Sequence, residues 1–287
     1  MPLWLVFVLF SVVVMAGSEI TQKITMTAPE NISSETSNFF IWLLQSLLGF
    51  GVFFLFSNHD ANFSWSLIPR LLLVGSVYFW AGTLYYSSYK SSSVSLSTLL
   101  GMMSIVMSTT LGIIFFGESI GLLKFCGILL VFLAIFIIKF SREFHFDKYN
   151  LLAMAGGSLW GVAFSIDKSF ATTVNPLFYL PVFCLVTGLT GLIYRPKTIL
   201  SEIKIISMKS YLSILLTAIF GTAFNAFTLL SYSHGGEVGR VDAINNTMIF
   251  LVIVFEFFIL KDRKNVFRKF IAATIAITGV TILAMAK

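Results

Sequence analysis

Ten runs of about twenty mostly apolar residues follow one another along the chain, with only short polar stretches between them. Their approximate spans are 3–23, 37–57, 68–88, 94–116, 121–140, 150–172, 176–194, 210–232, 238–260 and 266–286. Each is close to the ~20 residues an α-helix needs to cross ~30 Å of hydrocarbon. Lipid offers no partner to a backbone amide, so such runs satisfy their own hydrogen bonds as helices. The expected fold class is all-α and integral to the membrane, with ten transmembrane helices.

Composition agrees with that solvent. Hydrophobic residues make up 57% of the 287 and charged residues 11%, against about 25% charged in soluble domains. The net charge of +6 therefore does not point to nucleic acid; in a membrane protein Lys and Arg chiefly mark cytoplasmic loops. The first run resembles a leader peptide at VVVMAG, but it lacks a basic start and continues through Glu19 to Lys23. Cys126 and Cys184 sit within apolar runs and read as small core residues. His59, His145 and His234 fall in expected loops without a second ligand at metal spacing, so no metal and no cofactor is expected. Pro181 is the one proline well inside a span, where it is expected to kink the seventh helix.

The ten runs divide five and five at a nearly constant offset. Gln22-Lys23 closes the first span as Asp167-Lys168 closes the sixth, 145 residues on. SSYKSSSVS at 87–95 lies against SYSHGGEVG at 231–239, and Glu118 matches Asp262, both at 144. The expected domains are residues 1–145 and 146–287, each a five-helix repeat. A repeat with an odd number of crossings enters the membrane inverted the second time. That is an arrangement of secondary transporters, with the substrate site between the halves near the midplane.

Over essentially its full length the chain resembles the drug/metabolite transporter superfamily, and within it the EamA-type carriers of ten helices. The residues that carry the resemblance are Trp160-Gly161 with Lys168 seven after the glycine, Gly117-Glu118 with Gly127 nine after Glu118, and the small-residue turn SSYKSSSVS. It departs from the family pattern at Ala16-Gly17, where Trp-Gly is frequent. It departs again at Ile105 and Ile249, where the family often has proline, so nothing there offers a proline break. The resemblance implies the fold and the transport class, and its substrates vary widely.

Orientation is read two ways. Fourteen Lys and Arg belong to the end bearing loops 1–2, 3–4, 5–6, 7–8 and 9–10, against five at the other end: Arg70, Lys124, Lys168, Arg240 and Lys287. The excess of basic residues puts the first group in the cytoplasm and both termini outside. The family resemblance implies both termini inside.

Polar residues within spans are costly and usually face a bundle interior or a wet cavity. Along the ninth span Asp242, Asn245 and Glu256 share one helical face, with Asn246 beside it. Asn245 and Asn246 are candidates for binding substrate, with helix-to-helix bonding as the plainer alternative. Asn225 is read in the same way. Glu256 and Glu19 are candidate charge or proton sites. The plainer alternatives are headgroup contact for Glu256 and an i+4 pair with Lys23 for Glu19. Tyr78 and Trp160 lie deep enough for their polar atoms to need partners, and join the candidate substrate site. Tyr85 and Tyr86 read instead as interfacial belt residues.

No nucleotide-binding loop occurs, and no nucleophile–base pair falls within the spans. The chain is thus expected to be a transporter and not an enzyme, placed in the cell (inner) membrane. Its expected partners are the lipid bilayer, a small-molecule substrate, and a proton or counter-substrate. The leading reading is a small polar metabolite, an amino acid or related compound, moved by alternating access. The alternative is a larger solute such as a nucleotide sugar or organic cation, with an intramembrane enzyme or scaffold as a distant third.

Overall fold

The computed structural model describes residues 2–117, 121–139 and 147–285; Glu118, His145 and Lys287 lie outside them. Among the described residues the chain is helical throughout. In order it forms α1 (Leu3–Met26), α2 (Ser34–Phe56), α3 (Ile68–Ser88), α4 (Val94–Gly101), α5 (Met103–Phe116), α6 (Leu122–Lys139) and α7 (Lys148–Ala171). There follow α8 (Pro176–Tyr194), α9 (Pro196–Glu202), α10 (Met208–Ser233), α11 (Val238–Asn245), α12 (Ile249–Phe258) and α13 (Val266–Met285).

The starts of these helices are written locally. Ser33, Ser93, Asp147, Asn175 and Ser207 each accept a hydrogen bond from a backbone amide of the first turn, which supplies donors the helix itself cannot satisfy. Among the described residues, eight segments are long and apolar enough to cross a membrane: α1, α2, α3 with the turn before it, α4–α5, α7, α8, α10 and α11–α12. Helices α6 and α13 occupy the places of the fifth and tenth expected crossings but are not among the eight.

The outer surface is apolar and the interior holds much of the polarity. Leu47, Phe54, Leu72, Phe125, Phe258 and Phe267 are exposed, whereas Gln22, Asn38, Gln45, Asp167, Asp242 and Glu256 are buried. A surface of this kind suits lipid.

Helices pair mainly across the two halves: α1 on α10, α3 on α7, α2 on α8, and α6 on α13. Exchanging the halves turns the first pair into the second and leaves the other two unchanged. The contacts of α7 with α4–α5 likewise mirror those of α1 with α11–α12. Glycine makes the approach of α7 close. A Cβ at Gly157 would stand 2.3 Å from the carbonyl oxygen of Gly101, and one at Gly161 would stand 2.4 Å from that of Ser104.

Two spans are broken without proline. Between α4 and α5 the Met102 amide reaches both Thr98 and Leu99 carbonyls, and the Ile105 amide bonds the Met102 carbonyl at 3.0 Å. In the second half a 3-10 turn, Asn246–Met248, separates α11 from α12. Met102 and Asn246 are 144 residues apart, so the breaks are equivalent. A mid-helix tightening of this sort is a frequent mark of a functional hinge. Pro181, by contrast, sits inside a continuous α8.

Loops sort to two ends. Ser33 bonds Glu202 at 2.8 Å and Lys90 bonds Asn31 at 2.9 Å, which places loops 27–33, 89–93 and 195–207 together. At the opposite end Asn175 bonds Ser57 and the Asp60 carbonyl, both at 2.8 Å.

Candidate functional site

Two adjoining cavities lie between the halves, with empty volumes of about 330 Å³ and about 440 Å³ counting space continuous with the outside. Both are walled by Met15, Trp160, Phe164 and Phe224. The first adds Tyr85, Thr98, Gly101, Ser104, Asp242, Asn245, Asn246 and Met248. The second adds Ser18, Glu19, Trp42, Gln45, Tyr78, Tyr86, Gly221 and Asn225. Lining positions recur in repeat-related pairs: Met15 with Trp160, Glu19 with Phe164, Thr98 with Asp242, Gly101 with Asn245, and Ser104 with Met248. Each pair is 144 or 145 residues apart. The space therefore straddles the relation between the halves, and both helix breaks open onto it.

Six of the seven residues singled out from sequence line this space. Asn245 accepts a hydrogen bond from the Ser11 hydroxyl and donates to Thr228 Oγ1 at 3.4 Å. Asn246 donates to Asp242 Oδ1 at 2.8 Å and to the Asp242 carbonyl at 2.9 Å. Asn225 donates to Gln45 Oε1 at 2.8 Å. Trp160 packs against Tyr85 with ring centroids 4.4 Å apart. Tyr78 lines the second cavity while its hydroxyl donates to the buried Asp167. Glu19 lines it too, accepting from the Tyr85 hydroxyl at 3.3 Å. Lys23 does not pair with Glu19 here: its ammonium donates to the carbonyls of Tyr89 and, at 2.8 Å, Ser92.

Glu256 is elsewhere. It accepts from the Val94 amide at 2.7 Å and from the Ser95 hydroxyl, and it pairs with Lys269 at 2.9 Å. It lies in neither lining. Its helix supplies no cation, and Lys269 comes from the following helix, α13.

Tyr85 and Tyr86 are not belt residues. Both are buried and line the cavities, because the glycine face of α7 draws α3 inward: a Cβ at Gly156 would meet the Tyr85 amide nitrogen at 2.7 Å.

Sequence reasoning missed Asp167 and underused Asp242. Asp167 takes hydrogen bonds from Tyr78 and, at 2.6 Å, from Tyr179. Its neighbour Lys168 made it look like a helix end. Asp242 accepts from Ser104 at 3.1 Å and Ser108 at 2.7 Å, both in the other half. Its position three and four residues before Asn245 and Asn246 was the signal available.

Electrostatically the lining is one-sided: among the described residues it holds the carboxyl groups Glu19 and Asp242 and no Lys, Arg or His. Aromatic faces make up much of the rest. Carboxylates and ring faces both attract cations.

Comparison with known proteins agrees with this geometry. The profile of the EamA-like transporter family matches residues 2–140 and again residues 147–285. A solved structure titled only as a crystal structure of a protein superposes with a TM-score of 0.71 at 14% identity, covering 96% of this chain and 94% of the other, and so shares the fold. A search of curated proteins finds no match.

Proposed function

Because the chain belongs to the EamA-like transporter family, we propose that it is a secondary transporter of a small polar metabolite bearing a positively charged amine, an amino acid or related compound. Ten crossings, as two inverted five-helix repeats over residues 1–145 and 146–287, carry out alternating access around the central cavity. Tyr78, Trp160, Asn225, Asn245 and Asn246 contribute to substrate binding, with Glu19 as a charge or proton site. The membrane is the cell (inner) membrane, with loops 195–209 and 261–269 cytoplasmic. Impermeant labelling of cysteines placed at Lys204 and Arg263 checks this, and labelling of intact cells at both would reverse the orientation.

The observation that carries the reading is the lining, which among the described residues has two carboxyl groups and no basic side chain. A like charge about 4 Å from an ionised carboxylate costs about 4 kcal/mol at an effective dielectric constant of about 20. This disfavours a nucleotide sugar, whose phosphates would meet no counter-charge in the cavity. Trp42 supplies a buried indole N–H without a hydrogen-bond partner at the second lining, a donor suited to a carbonyl or carboxylate oxygen.

The test is a thermal-shift screen of the purified protein in which each compound is present as amine, amino acid and carboxylic acid. A ligand that binds the folded state stabilises it by mass action. Shifts are expected from amines and amino acids. Shifts confined to the acids or to nucleotide sugars would contradict the reading.

A further inference from the structure

We propose that Glu256 is a latch between the repeats that closes the way from the cavity to the bundle end bearing loops 27–33, 89–93 and 259–265; this rests on the transporter reading above.

The latch lies directly beyond the cavity along three helices. On α1, Glu19 lines the cavity and Lys23 is one turn further on. On α4, Thr98 lines the cavity and Val94 is one turn nearer the helix start. On the α11–α12 span, Met248 lines the cavity and Glu256 is eight residues further, about 12 Å at 1.5 Å per residue. An opening between these helices at this end has to part the groups at Lys23, Val94 and Glu256.

Those groups are bound by complementary charge. The Lys23 ammonium holds the carbonyls of Tyr89 and Ser92, just past the end of α3, where a helix presents partial negative charge. The Glu256 carboxylate holds the Val94 amide and the Ser95 hydroxyl at the start of α4, where a helix presents partial positive charge. Lys269, itself bonded to Asp262 at 3.3 Å, neutralises Glu256 from α13. Glu256, Lys269 and Asp262 belong to the second half; α3, α4 and Lys23 belong to the first. The Glu256 bonds to Val94 and Ser95 are therefore an inter-repeat contact, 2% exposed at the carboxylate and made of charge-assisted hydrogen bonds. Such a contact is strong when closed and, once parted, exposes groups that water can solvate. That suits an element with two discrete arrangements.

Pulsed electron–electron distances test it in the full chain, with Cys126→Ala and Cys184→Ala as background. One spin-label pair spans the latch, at Lys90 and Arg263; the other spans the opposite end, at Asn62 and Thr173. All four positions are exposed. In Glu256→Ala the open-to-closed ratio at Lys90–Arg263 is expected to rise at least about tenfold, while the Asn62–Thr173 distance, held short by the bonds of Asn175 to Ser57 and Asp60, stays as in the wild type. Glu256→Gln, which keeps an acceptor for Val94 but no charge for Lys269, should shift less, and Ser95→Ala least. Glu256→Ala with Lys269→Met removes both charges and guards against a fold weakened because Lys269 has lost its nearer carboxylate and keeps only Asp262 among the described residues; it should still open. Widening at both ends together would overturn the latch, because it marks loosened packing. A wild type that samples both openings, with populations indifferent to Glu256→Ala, would overturn the latch and leave the transporter reading standing. One unchanged distance at each end in every variant would overturn both.

Discussion

Asp242 and Glu256 are buried carboxylates of the same span, about 21 Å apart along its length at 1.5 Å per residue, and they have opposite surroundings. Asp242 is held by neutral donors, Ser104, Ser108 and Asn246, and faces a cavity. Glu256 is held by an ammonium and by a helix start, and faces packed protein. A carboxylate served only by neutral donors remains able to attract a mobile cation. One already paired with lysine has its charge neutralised by a fixed partner. The first arrangement fits binding and the second fits fastening.

The sharpest way to break this contrast is to neutralise each carboxylate in turn. Asp242→Asn should lower uptake by about a hundredfold or more in reconstituted vesicles, since a counter-charge of several kcal/mol is lost. Its melting temperature should change little, because the Asn oxygen can still accept from Ser104 and Asn246 while its amide donates to the Ser108 hydroxyl, which turns to the Ile105 carbonyl. Glu256→Ala should do the reverse in kind, costing about 1.5–3 kcal/mol of stability by removing the charged bonds to Val94, Ser95 and Lys269, which keeps Asp262 as a partner. A thermal or denaturant melt reads this, and Lys269→Met in the same chain should restore part of the loss. Equal melts for Glu256→Ala and wild type would remove the fastening role.

A smaller effect concerns the wall shared by the two regions. Gly157→Ala places a methyl 2.3 Å from a backbone oxygen that cannot move alone, so about 1–3 kcal/mol of stability should be lost. Asn225→Ala should be milder, weakening ligand binding by about 1 kcal/mol through the loss of the hydrogen bond to Gln45. Binding that is unchanged there, by titration calorimetry, would remove Asn225 from the site.

What could be read beforehand follows from where each cause resides. The eight spans among the described residues were legible because length and apolarity are local properties that lipid imposes. The pairing of Glu256 was not, because Lys269 is thirteen residues away, beyond a turn, and the Val94 amide comes from the other half. The burial of Tyr85 depends on glycines of α7, some seventy residues later. The helix breaks at Met102 and Asn246 escaped notice because no proline announces them; only the repeat offset ties them together. Asn245 and Asn246 could be singled out because polarity within a span is itself unusual, and Trp160 because a deep indole N–H needs a partner; all three line the cavity.

The central claim is that the cavity's own carboxylates, and not the latch, attract the substrate. Binding affinity of an amine-bearing compound taken from the screen, measured by titration calorimetry on the wild type, Asp242→Asn and Glu256→Gln, tests it most directly. The account predicts binding lost by at least about tenfold in Asp242→Asn and retained within about threefold in Glu256→Gln. Affinity that survives Asp242→Asn and collapses in Glu256→Gln would contradict it.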